Sequence, residues 1–212
     1  MYKLYYSPGA CSMAVHVLLN DIGAEFSLEK AAIKEGATQK PEFLKLNPRG
    51  QVPVLVDGDY VMREGGAILP YLADKHASKL LPREGRARAE ALEWLAFANA
   101  TLHPAYSRAF WINKKVGDLA GPNKDVLIQK AAEWISKLWE EVEQRLAKQQ
   151  YIAGANMTLA DVLLTVIANW TGNIPHPVTI GPKTRALFQR VIALPAYQKA
   201  LQAEGVEYKE AA

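Results

Sequence analysis

Cys11 is the only cysteine in the 212 residues, and it stands in "SPGACS" (7–12), between a strand-like run "YKLYY" and a helix-like run "SMAVHVLLNDIG". A thiol in the first turn of a helix lies beside unpaired amides and the positive end of the helix dipole, which favours the thiolate. The dipole supplies roughly 0.3–1 kcal/mol, less than one pKa unit. From about 8.5, a full unit's depression leaves only about a quarter of the thiol ionised at neutral pH. Full activation therefore needs a second donor, a hydroxyl or a histidine. The competing reading is a small apolar residue, the common fate of a free thiol.

Two other stretches carry chemistry. In "NPRGQVPVL" (47–55), Pro53 opens a strand in which it cannot donate a hydrogen bond, so it belongs at an edge or first position. A cis Val52–Pro53 bond would turn the N–H and C=O of Val52 outward, towards an extended peptide-like ligand; an ordinary trans proline ending a loop is the alternative. In "REGGAIL" (63–69) a helix starts with glycine amides directly after an acidic residue. Such a terminus binds a carboxylate through its N–H groups. Glu64 beside it holds an ammonium in one reading and merely complements the helix dipole in the other. An α-amino acid end, with both charges on one carbon, satisfies the two features together.

The elements that must position these residues alternate through the first eighty positions. "YKLYY" (2–6) and "EFSLEK" (25–30) read as strands, with a helix over 11–23 between them. A short helix around Glu42–Leu46 leads to two β-rich runs flanking Asp57-Gly58, a hairpin signal. "GGAILPYLADKH" (65–76) returns to helical spacing. This βαβ-α-ββα order predicts a small mixed sheet with helices on its faces. From about Arg86 onward only amphipathic segments follow. Leu92, Leu95, Ala96, Asn99, Leu102, His103, Tyr106 and Phe110 form one stripe, and Leu127, Ala131, Ile135, Leu138, Val142 and Leu146 another. "LADVLLTVIANW" (159–170) is apolar nearly all round, as a buried helix should be. "MTLAD" (157–161) is a capping box of Thr158 and Asp161. The expected domains are 1–78 and 86–212, an α/β domain and an all-α helical bundle.

Bulk composition narrows the partners. The net charge of +3 is spread along the chain, with no basic–aromatic run for nucleic acid and no polybasic membrane patch. No stretch has the roughly 18 apolar residues of a membrane span. The apolar N-terminus with Lys3 does not read as a signal peptide, because Pro8 and Gly9 break it. A lone cysteine excludes an intrachain disulfide and fits a reducing compartment. A cytoplasmic protein is the expectation. The four histidines show no metal-ligand spacing, and no cofactor is expected.

Taken together and in order, "YYSPGACSMAVHVLL", "NPRGQVPVL", "REGGAILPYLAD" and "YIAGANMTLAD" resemble the bacterial beta-class glutathione S-transferases, from residue 2 to about 170. The resemblance implies a thioredoxin-like N-terminal domain, an all-helical C-terminal domain and a homodimer. It implies that Cys11 faces the glutathione sulfur and can form a mixed disulfide with it. It makes Pro53 a cis-proline, Val52 the backbone partner of the tripeptide's cysteinyl unit, and Glu64 and Gly65 the holders of the γ-glutamyl end. Gln51 joins that glutathione-binding set, and Lys34 is the basic candidate for the glycyl carboxylate. His103 matches a histidine that reaches towards the thiol site. Tyr106, Trp111, Trp170 and the "NIPHP" loop (173–177) are candidates for the pocket of a second substrate, a small apolar electrophile.

The sequence also departs from that family. Ala96, Ala100 and Thr101 stand where members often carry polar residues, and Pro104 stands where they carry a lysine. These departures weaken the expected hold on glutathione. Pro104 also predicts a kink, since proline in a helix interior costs about 3 kcal/mol. The expected activity is transfer of glutathione sulfur to electrophiles, with glutathione as co-substrate, together with thiol–disulfide exchange through Cys11. A non-catalytic binding or regulatory module on the same fold is the alternative.

Overall fold

The structure, a computed structural model, describes residues 1–116, 121 and 123–209. The first strand, β1 (Tyr2–Tyr6), buries Tyr2, Leu4 and Tyr6 on alternate positions. Helix α1 (Ser12–Asp21) crosses to β2 (Phe26–Lys30), which pairs parallel to β1 with Leu4 opposite Leu28. Parallel neighbours need such a crossover helix. Two 3₁₀ turns (Ile33–Glu35 and Ala37–Gln39) and α2 (Pro41–Leu46) lead to β3 (Val54–Asp57) and β4 (Tyr60–Arg63). Both strands are antiparallel to their neighbours, giving the order β2-β1-β3-β4. The hairpin expected at Asp57-Gly58 sits one residue later. Asp57 is still paired with Tyr60, and Gly58, with φ at +62°, and Asp59 form the turn. Helix α3 (Gly65–Lys75) closes this unit.

Successive residues of β3 serve two cores, because side chains of a strand alternate between faces. Leu55 joins the large core that runs through α1, α3 and the helical part. Val54 joins a small cluster with Ala31, Phe43 and Val52 near α2.

The remainder is helical: α4 (Gly85–Ala96), α5 (His103–Trp111), α6 (Lys124–Leu146), α7 (Leu159–Ala168), α8 (Pro182–Ile192) and α9 (Pro195–Glu204). Every residue of α7 is buried, as its uniform apolarity predicts. Its start is held by Asp161, whose carboxylate accepts from the N–H and hydroxyl of Thr158 (2.7 and 2.8 Å) and also from the N–H of Ile152 (2.8 Å). The two parts of the chain are joined by a bidentate Arg88–Asp74 pair (2.8 Å each) and by the Leu159 N–H on the Leu80 carbonyl (2.8 Å).

The helical backbone runs from α4 through a π-helix over Phe97–Leu102 into α5, with Pro104 in the first turn of α5. Two expectations need correction. Ala96 lies on the exposed side of α4, where Ala91, Trp94 and Leu95 are the buried residues. Leu127 is 45% exposed, and the buried face of α6 begins instead at Ile128, seven residues or two turns before Ile135. No described helix is long and apolar enough to cross a membrane.

Candidate active site

The turn that carries Cys11 is built from its own sequence. Pro8 and Gly9 fill the central positions suited to them, Gly9 at φ +68°, and the Ala10 N–H closes the turn on the Ser7 carbonyl (3.0 Å). Ser12 locks it, its hydroxyl accepting from the Ser7 N–H (3.2 Å) and donating to the Ser7 carbonyl (3.4 Å). Cys11 then caps α1, and its S–H donates to the carbonyl of Val52 at 3.4 Å. The thiol is therefore a hydrogen-bond donor. Burial pushes its pKa up to about 12, against the downward pull of the N–H groups of Cys11 and Ser12, with the charge of Glu64 adding a smaller upward push. The helix end acts in the direction the sequence implies, but desolvation outweighs it.

The Val52–Pro53 bond is cis. The loop before it is organised by buried Asn47, whose amide donates to the Gln51 carbonyl (2.7 Å) and whose side-chain oxygen accepts from the Arg49 N–H (3.2 Å). Pro53 in turn adjoins the start of α3: a Cβ placed on Gly65 would lie 3.8 Å from Pro53 Cγ. Glu64 caps that helix with φ at +74°, a costly region for a residue with a side chain. The N–H groups of Gly65 and Gly66 are among those a helix start leaves without helical partners. Cys11, Val52, Pro53, Glu64 and Gly65 thus lie along one continuous edge, as expected from three separated motifs.

Two residues at this edge were not singled out as site residues. Arg49 pairs with Glu64 at 2.9 Å, so the carboxylate already has a cation. Asn99 reaches the glycine start from the helical part; a Cβ on Gly66 would lie 3.1 Å from its amide nitrogen. Asn99 was legible only as part of the helical stripe, and Arg49 only as a loop residue.

The remaining candidates divide. His103, half-buried at the start of α5, stacks edge-on against Trp170 (5.0 Å between centroids). Burial lowers its pKa, and the charge of Glu64 only partly offsets this. Trp170 also donates its indole N–H to the Gly9 carbonyl at 2.7 Å. Tyr106 is fully buried, its hydroxyl accepting from Trp139 Nε1 (2.8 Å) and bonded to Thr171 Oγ1 (2.6 Å). Without accessible surface it cannot touch a ligand in this conformation, so its place in a pocket wall is corrected to the core. Trp111 is 60% exposed near the end of α5. Lys34 is exposed in the first 3₁₀ turn, which is tied to the cysteine turn by the Ile33 N–H on Ser7 Oγ (3.2 Å), and Gln51 is exposed. Ala100 and Thr101 are exposed as well.

A four-stranded mixed sheet, with a proline before its third strand and a thiol at the start of its first helix, joined to a helical domain, defines a thioredoxin-like fold of the glutathione-transferase type. Comparison with known proteins agrees. Residues 1–74 match the glutathione S-transferase N-terminal domain and residues 67–195 its C-terminal domain. The chain is 36% identical to glutathione S-transferase GST-4.5 of Xanthomonas campestris pv. campestris, covering 96% of this chain and 99% of that one. It is 29% identical to GstA of Escherichia coli O157:H7, covering 97% and 100%. A solved glutathione S-transferase from Xylella fastidiosa superposes with a TM-score of 0.88 at 32% identity, covering 98% and 100%. A sphingomonad glutathione S-transferase complexed with glutathione does so at 0.81 and 32%, covering 97% and 100%. The chain belongs to the glutathione S-transferase family.

Proposed function

We propose that this protein is a beta-class-like, cytoplasmic and homodimeric glutathione transferase, with residues 1–78 as the glutathione-binding domain and 86–212 as the helical domain carrying the electrophile site and dimer contacts. Glutathione lies along the edge from Cys11 to Gly65. Val52 offers its backbone to the cysteinyl unit, Glu64 and the Gly65 amide take the γ-glutamyl ammonium and carboxylate, and Gln51 and Lys34 complete the hold.

The observation that carries this reading is the Cys11 S–H donating to Val52 O, the backbone group the tripeptide would engage. On binding, the S–H turns from that carbonyl to the glutathione sulfur. A thiolate stabilised by a fixed donor is populated at neutral pH and stays nucleophilic. Neutral His103 is the nearby group suited to take the proton released. The thiolate then adds to a small apolar electrophile held on the side of Trp170 and Trp111.

Thiol–disulfide exchange uses the same cysteine as nucleophile. Its thiolate attacks a glutathionyl disulfide, forms Cys11–S–SG and expels the partner thiolate; a glutathione thiolate then releases glutathione disulfide and restores Cys11. Exchange needs the Cys11 thiol to ionise, which its burial opposes; weak conjugation and measurable reductase activity are expected. Conjugation and reductase assays on wild type and Cys11→Ala test the proposal. Conjugation is expected to fall and reductase activity to vanish. Retention of both by the variant refutes the role of Cys11.

A further inference from the structure

Gly9, two residues before Cys11, has both backbone groups held by the helical part of the chain. Its N–H donates to Glu204 Oε2 at 2.9 Å, and its carbonyl accepts from Trp170 Nε1 at 2.7 Å. Glu204 is itself buried and fixed by His16 Nδ1 on Oε1 at 2.9 Å, with both side chains nearly inaccessible. A buried carboxylate is tolerated only with such partners. Val206 lies beside Gly9 too, 3.6 Å from where a Cβ would stand. The internal bonds of the turn fix Ser7, Ala10 and Ser12 but not its tip. Trp170 meanwhile presents its ring to His103.

We propose that Glu204 and Trp170 are positioning residues for Cys11: they clamp the tip of the turn through the N–H and the carbonyl of Gly9, so that the half-buried thiol stays against the Val52 carbonyl. The C-terminal helix thereby sets the geometry of a site formed mostly by the other end of the chain. This rests on the reading of Cys11 as the residue that meets glutathione. Trp170 becomes a link between the turn and His103 as well as a pocket wall.

Cys11, as the only cysteine, reports its own exposure through alkylation by iodoacetamide. Trp170→Phe keeps a ring against His103 and deletes the N–H; Glu204→Leu deletes the acceptor, and Glu204→Gln restores a carbonyl for Gly9 and an amide for His16. Alkylation is expected to accelerate about five- to tenfold in Trp170→Phe and Glu204→Leu, the factor one lost hydrogen bond carries, and to return towards wild type in Glu204→Gln. Tyr208→Phe removes a hydroxyl bond to the Thr165 carbonyl (3.1 Å) and neither of the two Gly9 bonds, and its rate is expected to stay at the wild-type value. Unchanged rates in Trp170→Phe, or equal acceleration in Tyr208→Phe, overturn the clamp. Glutathione's protection of wild-type Cys11 from the same reagent is read separately: protection absent while Trp170→Phe accelerates leaves the clamp standing and removes the glutathione reading.

Discussion

The Cys11 sulfur lies 3.4 Å from the carbonyl oxygen of Val52 and donates a hydrogen bond to it. A thiol at a helix start would ordinarily be acidified, yet here burial dominates and holds it neutral. The residue enters the site as a donor whose acceptor can be exchanged.

The reactivity of free Cys11 should therefore depend on pH without levelling off near the usual thiol range. Because only the thiolate is alkylated, the rate is expected to rise about tenfold per pH unit from 7 to 10. A plateau near 8.5 would show that the side chain is solvated in the free protein.

His103 should titrate below its ordinary 6.5, since burial disfavours the imidazolium. As pH falls through that range the unfolded chain takes up the proton first, so this residue's contribution to stability declines on acidification. An NMR titration of its ring checks the direction. His103→Gln is expected to lower kcat more than it raises the KM for glutathione.

Arg49 occupies Glu64 in the free protein and competes there with an incoming ammonium. Exposed ion pairs are weak, so Arg49→Ala is expected to lower the KM for glutathione by no more than several-fold. A tripeptide lacking the α-amino group should show no gain. A raised KM for glutathione would mean that Arg49 aids binding.

Asp161 satisfies two buried backbone N–H groups and a hydroxyl. Asp161→Ala is expected to cost on the order of 3 kcal/mol in urea unfolding, because the donors are left without acceptors. Thr158→Ala, which removes the cap and one of the three donors to the Asp161 carboxylate, should cost less, about 1–2 kcal/mol.

Much of this was legible in the chain, for identifiable reasons. Alternation in "YKLYY" and uniform apolarity in "LADVLLTVIANW" encode burial directly, and the turn residues Pro8, Gly9 and Gly58 encode local backbone. The environment of the Cys11 thiol was not legible, because its acceptor, the Val52 carbonyl, and the charge of Glu64 both come from more than forty positions away. The Arg49–Glu64 pair and the Glu204–Gly9 contact are products of tertiary packing between segments with no common motif. The π-helix before Pro104 escaped a reading based on a 3.6-residue period, since it changes that period. The exposure of Ala96 and Leu127 shows the same weakness: apolar residues at plausible spacing do not fix the phase of the buried face.

A crystal structure with bound glutathione tests the account most directly. The expected result is its sulfur within hydrogen-bond reach of Cys11 Sγ, with the γ-glutamyl end at Glu64 and Gly65 and the cysteinyl unit on the backbone of Val52. Glutathione seated elsewhere, or no glutathione in this cleft at saturating concentration, would contradict it.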